Sequence, residues 1–289
     1  MRADRRVLVT GATGFVGRQV ARRLENMDWE VHAIDRTEAD LLKPGAPAEL
    51  VDRIRPSHLL HLAWNAEHGR FWTAPDNLDW VGASLALHRA FAVRGGERAV
   101  FVGTCAEYDW SYDLLDEMGT PCRPGTLYGV AKDCLRRMLE VSPEGVSLAW
   151  ARLFFLYGPH EAPGRLVPSV IRPLLEGSEA LCGDGLAQRD FMHVADAADA
   201  LIALLQSPVT GPVNIASGDC RPIKDIIQMI ADQIGRPDLV RLGARPPQAS
   251  EPARLAASTA RLHDEVGFRP RLDLSEGIAQ TIKWWREQS

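Results

Sequence analysis

The 289-residue sequence has no apolar run approaching the ~20 residues that cross a bilayer, so no membrane-spanning helix is expected. Its opening, Met1-Arg2-Ala3-Asp4-Arg5-Arg6, leads into a strand-like run and not into the apolar core of a signal peptide; the expected location is cytoplasmic. Positive charge is not in excess. A net charge of −5 argues against a chain that coats nucleic acid or an anionic membrane, while leaving room for a local basic pocket around a phosphate, and a small molecule is the expected partner. Cysteines are five, an odd set (Cys105, Cys122, Cys134, Cys182 and Cys220) without a Cys-x-x-Cys pair or a histidine at zinc spacing. That excludes a disulfide framework and a structural metal and leaves reduced thiols. There is no internal repeat and no low-complexity tract. With 46% hydrophobic and 25% charged residues, the chain can bury a substantial core, as one large domain or two closely joined ones.

What is present is a regular alternation. Strand-like runs at about 5–10, 30–34, 57–63, 98–103 and 146–154 alternate with helical periodicity at about 15–27, 46–54, 76–94 and 127–140, the pattern of a doubly wound α/β parallel sheet covered on both faces. After Pro159 the texture changes. Pro163, Pro168, Pro173, Gly177, Gly183 and Gly185 punctuate short segments, one more strand is expected at 211–215, and helices at 223–234 and 274–285 flank a loop rich in Pro and Arg.

Between the first strand and first helix lies Thr10-Gly11-Ala12-Thr13-Gly14-Phe15-Val16-Gly17. Gly11 permits a sharp turn out of the strand, Gly14 removes a side chain that would block phosphates, and Gly17 lets the helix lie close to the sheet. The amides and positive dipole end of that helix then face negative charge, as a dinucleotide pyrophosphate would require. Asp35 closes the second strand, 24 residues after Gly11, where a carboxylate can take both adenosine ribose hydroxyls and favours NAD(H). Arg36, and Arg18 at the helix start, could instead grip a 2′-phosphate, so NADP(H) stays open.

Tyr128 and Lys132, four apart on an expected helix, project from one face, and Thr104 ends the strand of Val100-Phe101-Val102-Gly103, at the sheet edge that faces ligands. A tyrosine with an ordinary pKa of ~10 shuttles protons poorly near pH 7. A nearby ammonium favours its anion, so Tyr128 can give a proton to a carbonyl oxygen as hydride arrives from a nicotinamide, with Thr104 holding the same oxygen.

These residues together, with Thr104-Cys105-Ala106-Glu107-Tyr108, Tyr128-Gly129-Val130-Ala131-Lys132, Arg152 through Tyr157-Gly158-Pro159, Gly183-Asp184-Gly185 with Gln188-Arg189-Asp190-Phe191, and Leu262 to Pro270 with Trp284-Trp285, resemble the extended short-chain dehydrogenase/reductase family, especially its nucleotide-sugar enzymes. The likeness covers nearly the whole chain. It implies a doubly wound parallel Rossmann sheet with a smaller, discontinuous C-terminal substrate-binding region: 1–158 with about 186–216 for the dinucleotide, about 159–185 with 217–289 for the nucleotide sugar. It also implies that Lys132 bonds the nicotinamide ribose, that Asp40-Leu41 contact the adenine, and that Leu62-Ala63 lie under the diphosphate and ribose, whereas His61 packs in its strand. Residues Gly11, Thr13, Gly14, Phe15, Val16, Gly17, Asp35, Arg36 and Tyr128 complete the expected cofactor set.

On the substrate side the resemblance implies a diphosphate contact from Arg189, a base or ribose contact from Arg165, Leu166 and Val167, a further phosphate contact from Arg245 or Arg254, and a sugar contact from His160. Cys105 is expected as a pocket wall, and Phe155 stands where many relatives have a substrate-binding asparagine. Trp284 and Trp285 are expected to pack in the last helix. The helices at 76–94 and 127–140 correspond to a pair that forms a four-helix homodimer contact in relatives.

The family's 4,6-dehydratases carry Asp-Glu directly after the threonine; here Cys105-Ala106 follow, which rejects that activity. The acid/base cysteine of the GDP-fucose synthase branch falls at Ala106. The remaining expectation is an NAD(P)H-dependent C4-ketoreductase acting on a nucleoside-diphosphate 4-keto-6-deoxyhexose, the alternative an NAD-dependent 4-epimerase, and the remote alternative a non-catalytic cofactor sensor.

Overall fold

The computed structural model describes residues 5–246 and 252–288. The first half alternates strand and helix: β1 (Arg6–Thr10), α1 (Gly17–Glu25), β2 (Glu30–Ile34), α2 (Ala46–Ile54), β3 (His58–His61), α3 (Asn77–Val93), β4 (Arg98–Thr104), β5 (Leu114–Leu115), α4 (Leu127–Glu140) and β6 (Ser147–Leu153). The second half runs β7 (Phe155–Tyr157), α5 (Leu166–Leu175), β8 (Ala180–Leu181), β9 (Gln188–His193), α6 (Val194–Gln206), β10 (Gly211–Ile215), β11 (Cys220–Pro222), α7 (Ile223–Ile234), β12 (Val240–Arg241), β13 (Arg254–Ala257) and α8 (Leu274–Arg286). No helix among the described residues is long and apolar enough to cross a membrane.

Six parallel strands form the main sheet in the order β10-β6-β4-β3-β1-β2. Its strands are apolar on both faces because both faces are covered. Val7 and Val9 point into a core shared with Val20 and Leu24 of α1 and Leu201 and Leu204 of α6. Leu8, between them, points the other way, to Leu87 and Phe91 of α3 and Leu135 of α4. Fully burying a side chain such as Leu87 or Phe91 contributes about 1.5–3 kcal/mol. The chain leaves β1 to build β2 on one side, then returns across β1 to build β3 on the other. The crevice at the C-terminal ends of β1 and β3 is therefore where the strand order reverses.

The expected strands and helices are found, with two local differences. Met27 continues the helical spacing of Val20 and Leu24 but lies beyond α1, exposed, because the helix ends at Glu25 with Asn26 as its cap. Within the stretch at about 186–216, β10 joins the main sheet whereas β9 does not. β9 pairs with β7, β11 and β13 in a second sheet that also draws β5 from the first half. Helices α5, α7 and α8 pack together around Ile171, Ile227, Ile230 and Ile282 beside that second sheet.

Candidate active site

The glycine-rich turn shows why its residues lack side chains. Gly11 has φ +71°, and a Cβ there would stand 2.8 Å from the amide nitrogen of Ala63. The turn out of β1 thus rests directly on the turn out of β3, where the Leu62 amide donates to the Thr10 carbonyl at 3.2 Å. A Cβ on Gly17 would overlap the carbonyl oxygen of Gly11 and push α1 off the turn. At Gly14 the neighbouring atom is that same oxygen, 3.2 Å away, so its outward face is open; Thr13 beside it is exposed. Phe15 and Val16 are half-buried where α1 begins. The first turn of α1 holds no acid and no side-chain cap, so the positive end of its dipole is not offset by a carboxylate. This backbone cradle fits a dinucleotide diphosphate.

The Asp35 carboxylate accepts from the Thr37 amide (2.7 Å), the Thr37 hydroxyl (2.6 Å) and the Glu38 amide (3.1 Å), all through Oδ1. These bonds, that from the Thr37 hydroxyl first, hold its pKa below the ordinary value. The exposed Arg36 pairs with Asp40 at 3.4 Å, Asp40 also accepts from the Leu42 amide, and Leu41 is buried. The Arg18 guanidinium donates to the carbonyls of Thr13 (2.6 Å) and Gly14 (3.3 Å) and to Nδ1 of His160 (3.0 Å). His61 packs as expected: its ring nitrogens bond the Thr10 hydroxyl (2.7 Å) and the Ser84 hydroxyl (2.9 Å). Burial, aided by the charge of Lys132, lowers its pKa to about 3, so it is neutral.

Thr104, Tyr128 and Lys132 are brought together at the C-terminal end of β4. Gly129 makes this possible: a Cβ there would lie 2.5 Å from the Ala106 carbonyl, so α4 can press against the turn that follows Thr104. Thr126 caps α4 by accepting from the Gly129 amide. The Tyr128 phenol lies near the Thr104 side chain. Rings of Phe71, Trp72 and Trp64 meet Tyr128 edge-on at 4.9, 5.9 and 6.5 Å. Burial raises the phenol's pKa, more than the Thr104 side chain and the charge of Arg165 lower it. Lys132 is buried and donates from Nζ to the Val102 carbonyl at 2.7 Å. Burial lowers its pKa to about 7, against the opposing pull of Glu107.

Glu107 is a site residue that the sequence pattern does not reveal. Fully buried, it accepts from the Thr104 amide (2.8 Å), the Trp150 indole (3.0 Å) and Nε of Arg152 (2.7 Å). Its capping of the turn after β4 holds Thr104 in place. The pairing depends on β4 and β6 being neighbours, which no local periodicity signals.

On one side of Tyr128, Cys105, Phe155, Arg189 and Arg254 come together. The Arg189 guanidinium lies 5.5 Å from the Phe155 ring, whose other neighbour is Phe191 at 5.6 Å. The charge of Arg189 acts on both Cys105 and Cys220, and Arg254 lies close to Cys220. Burial drives the Cys105 thiol up to about 12, so it stays protonated. Beside Arg189, Asp190 accepts from the Ser217 amide and hydroxyl and the Gly218 amide, pinning the turn after β10. Arg245 lies in the turn after β12, its amide bonded to the Cys182 carbonyl.

On the other side, Arg165 precedes α5 with its guanidinium 5.5 Å from the Phe71 ring, and Leu166 is half-buried. Val167 is different: its side chain is fully buried in the core of α5, α7 and α8, because it lies on the apolar face of α5, and it offers a ligand backbone alone. His160, at φ +71°, sits between Arg18 and the Trp284 ring (4.6 Å). Trp284 is half-buried and Trp285 buried, as packing residues of α8. The neighbouring Glu161, also unforeseen, is buried with Oε2 lacking a hydrogen bond, and desolvation raises its pKa to about 8.

A model of the NAD dependent epimerase/dehydratase family matches residues 7–216. The chain is 28% identical to a dTDP-4-dehydro-6-deoxy-D-allose reductase of Streptomyces bikiniensis, over 99% of this chain and 98% of that protein. It is 35% identical to a dTDP-glucose 4,6-dehydratase of Streptomyces antibioticus, over 97% and 92% respectively. Among solved structures, MoeE5 in complex with UDP-glucuronic acid and NAD superposes with a TM-score of 0.86 at 27% identity, covering 98% of this chain and 99% of that one.

Proposed function

Because this chain belongs to the NAD-dependent epimerase/dehydratase family and is an NAD(P)-dependent nucleotide-sugar enzyme, we propose that it reduces the C4 carbonyl of a nucleoside-diphosphate 4-keto-6-deoxyhexose. The observation that carries this reading is the Thr104–Tyr128–Lys132 cluster followed directly by Cys105-Ala106, where neither side chain is a carboxylate, while the carboxylate of Glu107 is turned away into its bonds with the Thr104 amide, Trp150 and Arg152. A bound nicotinamide would supply the hydride. Tyr128 donates its proton to the carbonyl oxygen at C4, and burial, by keeping the phenol protonated, suits it to donate. The Thr104 hydroxyl bonds the same oxygen and orients it. Lys132 holds the nicotinamide ribose and supplies positive charge beside the phenol as its proton leaves. Arg189 and Arg254 bind the diphosphate, for which guanidinium groups are suited by charge and geometry. Likeness to the reductase of S. bikiniensis supports the choice.

On the cofactor side, Gly11, Thr13, Gly14, Phe15, Val16 and Gly17 cradle the diphosphate, Leu62 and Ala63 underlie it, and Asp40 with Leu41 flank the adenine. Asp35 faces the ribose hydroxyls, while Arg36 and Arg18 are engaged by Asp40 and by the glycine turn, an arrangement that supports NAD(H) over NADP(H). The Rossmann part and the discontinuous substrate part meet across this cleft. The exposed apolar residues Leu78 and Val93 of α3 and Val130 and Met138 of α4 support a homodimer built on these helices, which light scattering would measure.

Asp35 also favours a second reading, a 4-epimerase that keeps NAD bound. The deciding experiment incubates the purified protein with nucleoside-diphosphate 4-keto-6-deoxyhexoses and NADH or NADPH, with NMR of the product. Steady consumption of added NADH is expected. Co-purified NAD with no net consumption would overturn the reductase in favour of the epimerase.

A further inference from the structure

Trp64 follows Leu62-Ala63 at the end of β3, and its indole ring centroid lies 3.6 Å from Nζ of Lys132. The ring is not free to drift. Its Nε1 donates to Oδ1 of Asn77 at 2.8 Å, and the buried Asn77 amide donates in turn to the carbonyls of Phe71 and Ala74, each at 2.8 Å. One asparagine at the start of α3 therefore fixes both the indole and the loop that carries it. Trp80, also on α3, stacks behind the indole at 6.0 Å with an interplanar angle of 27°. Asn65 adds a bond to Asp76 at 2.8 Å.

Around Lys132, the groups from each packed element are the Val102 carbonyl of β4, the Glu107 carboxylate of the turn after it, neutral His61 of β3, and Trp64, whose ring also meets that of Tyr128 on Lys132's own helix at 6.5 Å. A buried ammonium with one carbonyl bond is poorly solvated and tends to lose its proton. An aromatic face opposes that loss, most strongly when cation and ring are both desolvated.

We propose that Trp64 is the positioning residue for Lys132: its indole face, fixed by Asn77 and Trp80, holds the ammonium charged and beside Tyr128. The inference rests on the reading of Lys132 as the ammonium of the catalytic pair, but the contact is testable without catalysis. The sequence has four lysines, Lys43, Lys132, Lys224 and Lys283, so a protein labelled with [13C]lysine gives few resonances. Lys43→Arg, Lys224→Arg and Lys283→Arg would assign them.

In the cofactor-free wild type, the Lys132 Hε protons are expected upfield of those of an exposed lysine, through the ring current of Trp64. Trp64→Phe keeps part of this shift. Trp64→Leu abolishes it, moves the Lys132 titration to lower pH, and lowers kcat/KM about tenfold at pH 8, with recovery toward the wild type at pH 6, where the ammonium is charged again. A role in packing alone would not produce that pH-selective loss. A Lys132 resonance in the wild type like that of an exposed lysine overturns the proposal even if Trp64→Leu does not fold; so does a Trp64→Leu protein with an unchanged titration. A normal ring shift combined with full activity of Lys132→Met would sink the catalytic reading, and the positioning role with it, while the contact itself stood.

Discussion

At the glycine-rich end of the cleft, eight consecutive residues and one helix start make the surface, and they do it with backbone: amides, carbonyls and the places where a Cβ would not fit. At the substrate end the surface is made of side chains that arrive from β7, β9, β13 and the turns after β4 and before α5, and among them are ionisable groups buried deeply enough to change their protonation. Geometry is the vulnerability of the first end, charge that of the second. A backbone cradle fails when a methyl group is added, whereas a buried polar cluster fails when a proton or a charge is moved.

The largest effect expected from this contrast is at Tyr128. Tyr128→Phe removes the proton donor and should lower kcat by about 10²–10⁴-fold, while NADH affinity, measured by fluorescence titration, stays as in the wild type. Loss of cofactor binding instead would mean that the two ends are not separable. Next is Arg254→Ala, which should raise the KM for the nucleotide sugar about ten- to a hundredfold through loss of a charged hydrogen bond. Because Arg254 is exposed at the end of β13, thermal stability should not move.

Gly17→Ala tests the other end. Its Cβ would overlap the Gly11 carbonyl, a backbone atom that cannot swing aside, so about 1–3 kcal/mol of stability and the affinity for NADH should fall together. Gly14→Ala, with the nearest atom 3.2 Å away, should stay folded and lose affinity alone. Equal stability losses in the two variants would contradict the cradle.

The smallest effect is a pH dependence at Glu161. Its carboxyl has a folded-state pKa of about 8 against an ordinary 4.5, so the folded state binds the proton more tightly. The stability linked to that proton is full below about pH 4.5 and is lost as pH rises toward and through about 8. Glu161→Gln carries no such proton, and its melting temperature should gain on the wild type as pH rises across that window. Parallel melting curves for the two proteins from pH 4 to 9 would show that Glu161 is solvated.

Much of the fold is legible in the residues themselves. Helices α2, α4 and α7 occupy the spans that their periodicity predicts, and β1, β2, β4, β6 and β10 lie where apolar runs place them, because both signals are local. The two- and three-residue strands β5, β7, β8, β11 and β12 show no period at all, and grouping 186–216 with the dinucleotide part does not separate β9 from β10, because the sequence does not say which neighbour a strand will pair with. The candidate site divides the same way. Glycine spacing and the Tyr128–Lys132 interval are short-range facts; the bond from Arg152 to Glu107, the indole over Lys132 and the contact of His160 with Trp284 join residues far apart in the chain.

By itself, then, the chain specified where the cofactor turn begins, which face of α4 presents Tyr128 and Lys132, and that both faces of the sheet would be covered. Only the tertiary structure decided which groups carry a proton and which surround them. The reason is physical: turns and helix faces follow from torsion angles and spacing within a few residues, whereas desolvation depends on every element that closes over a side chain, and none of those elements is its neighbour in sequence.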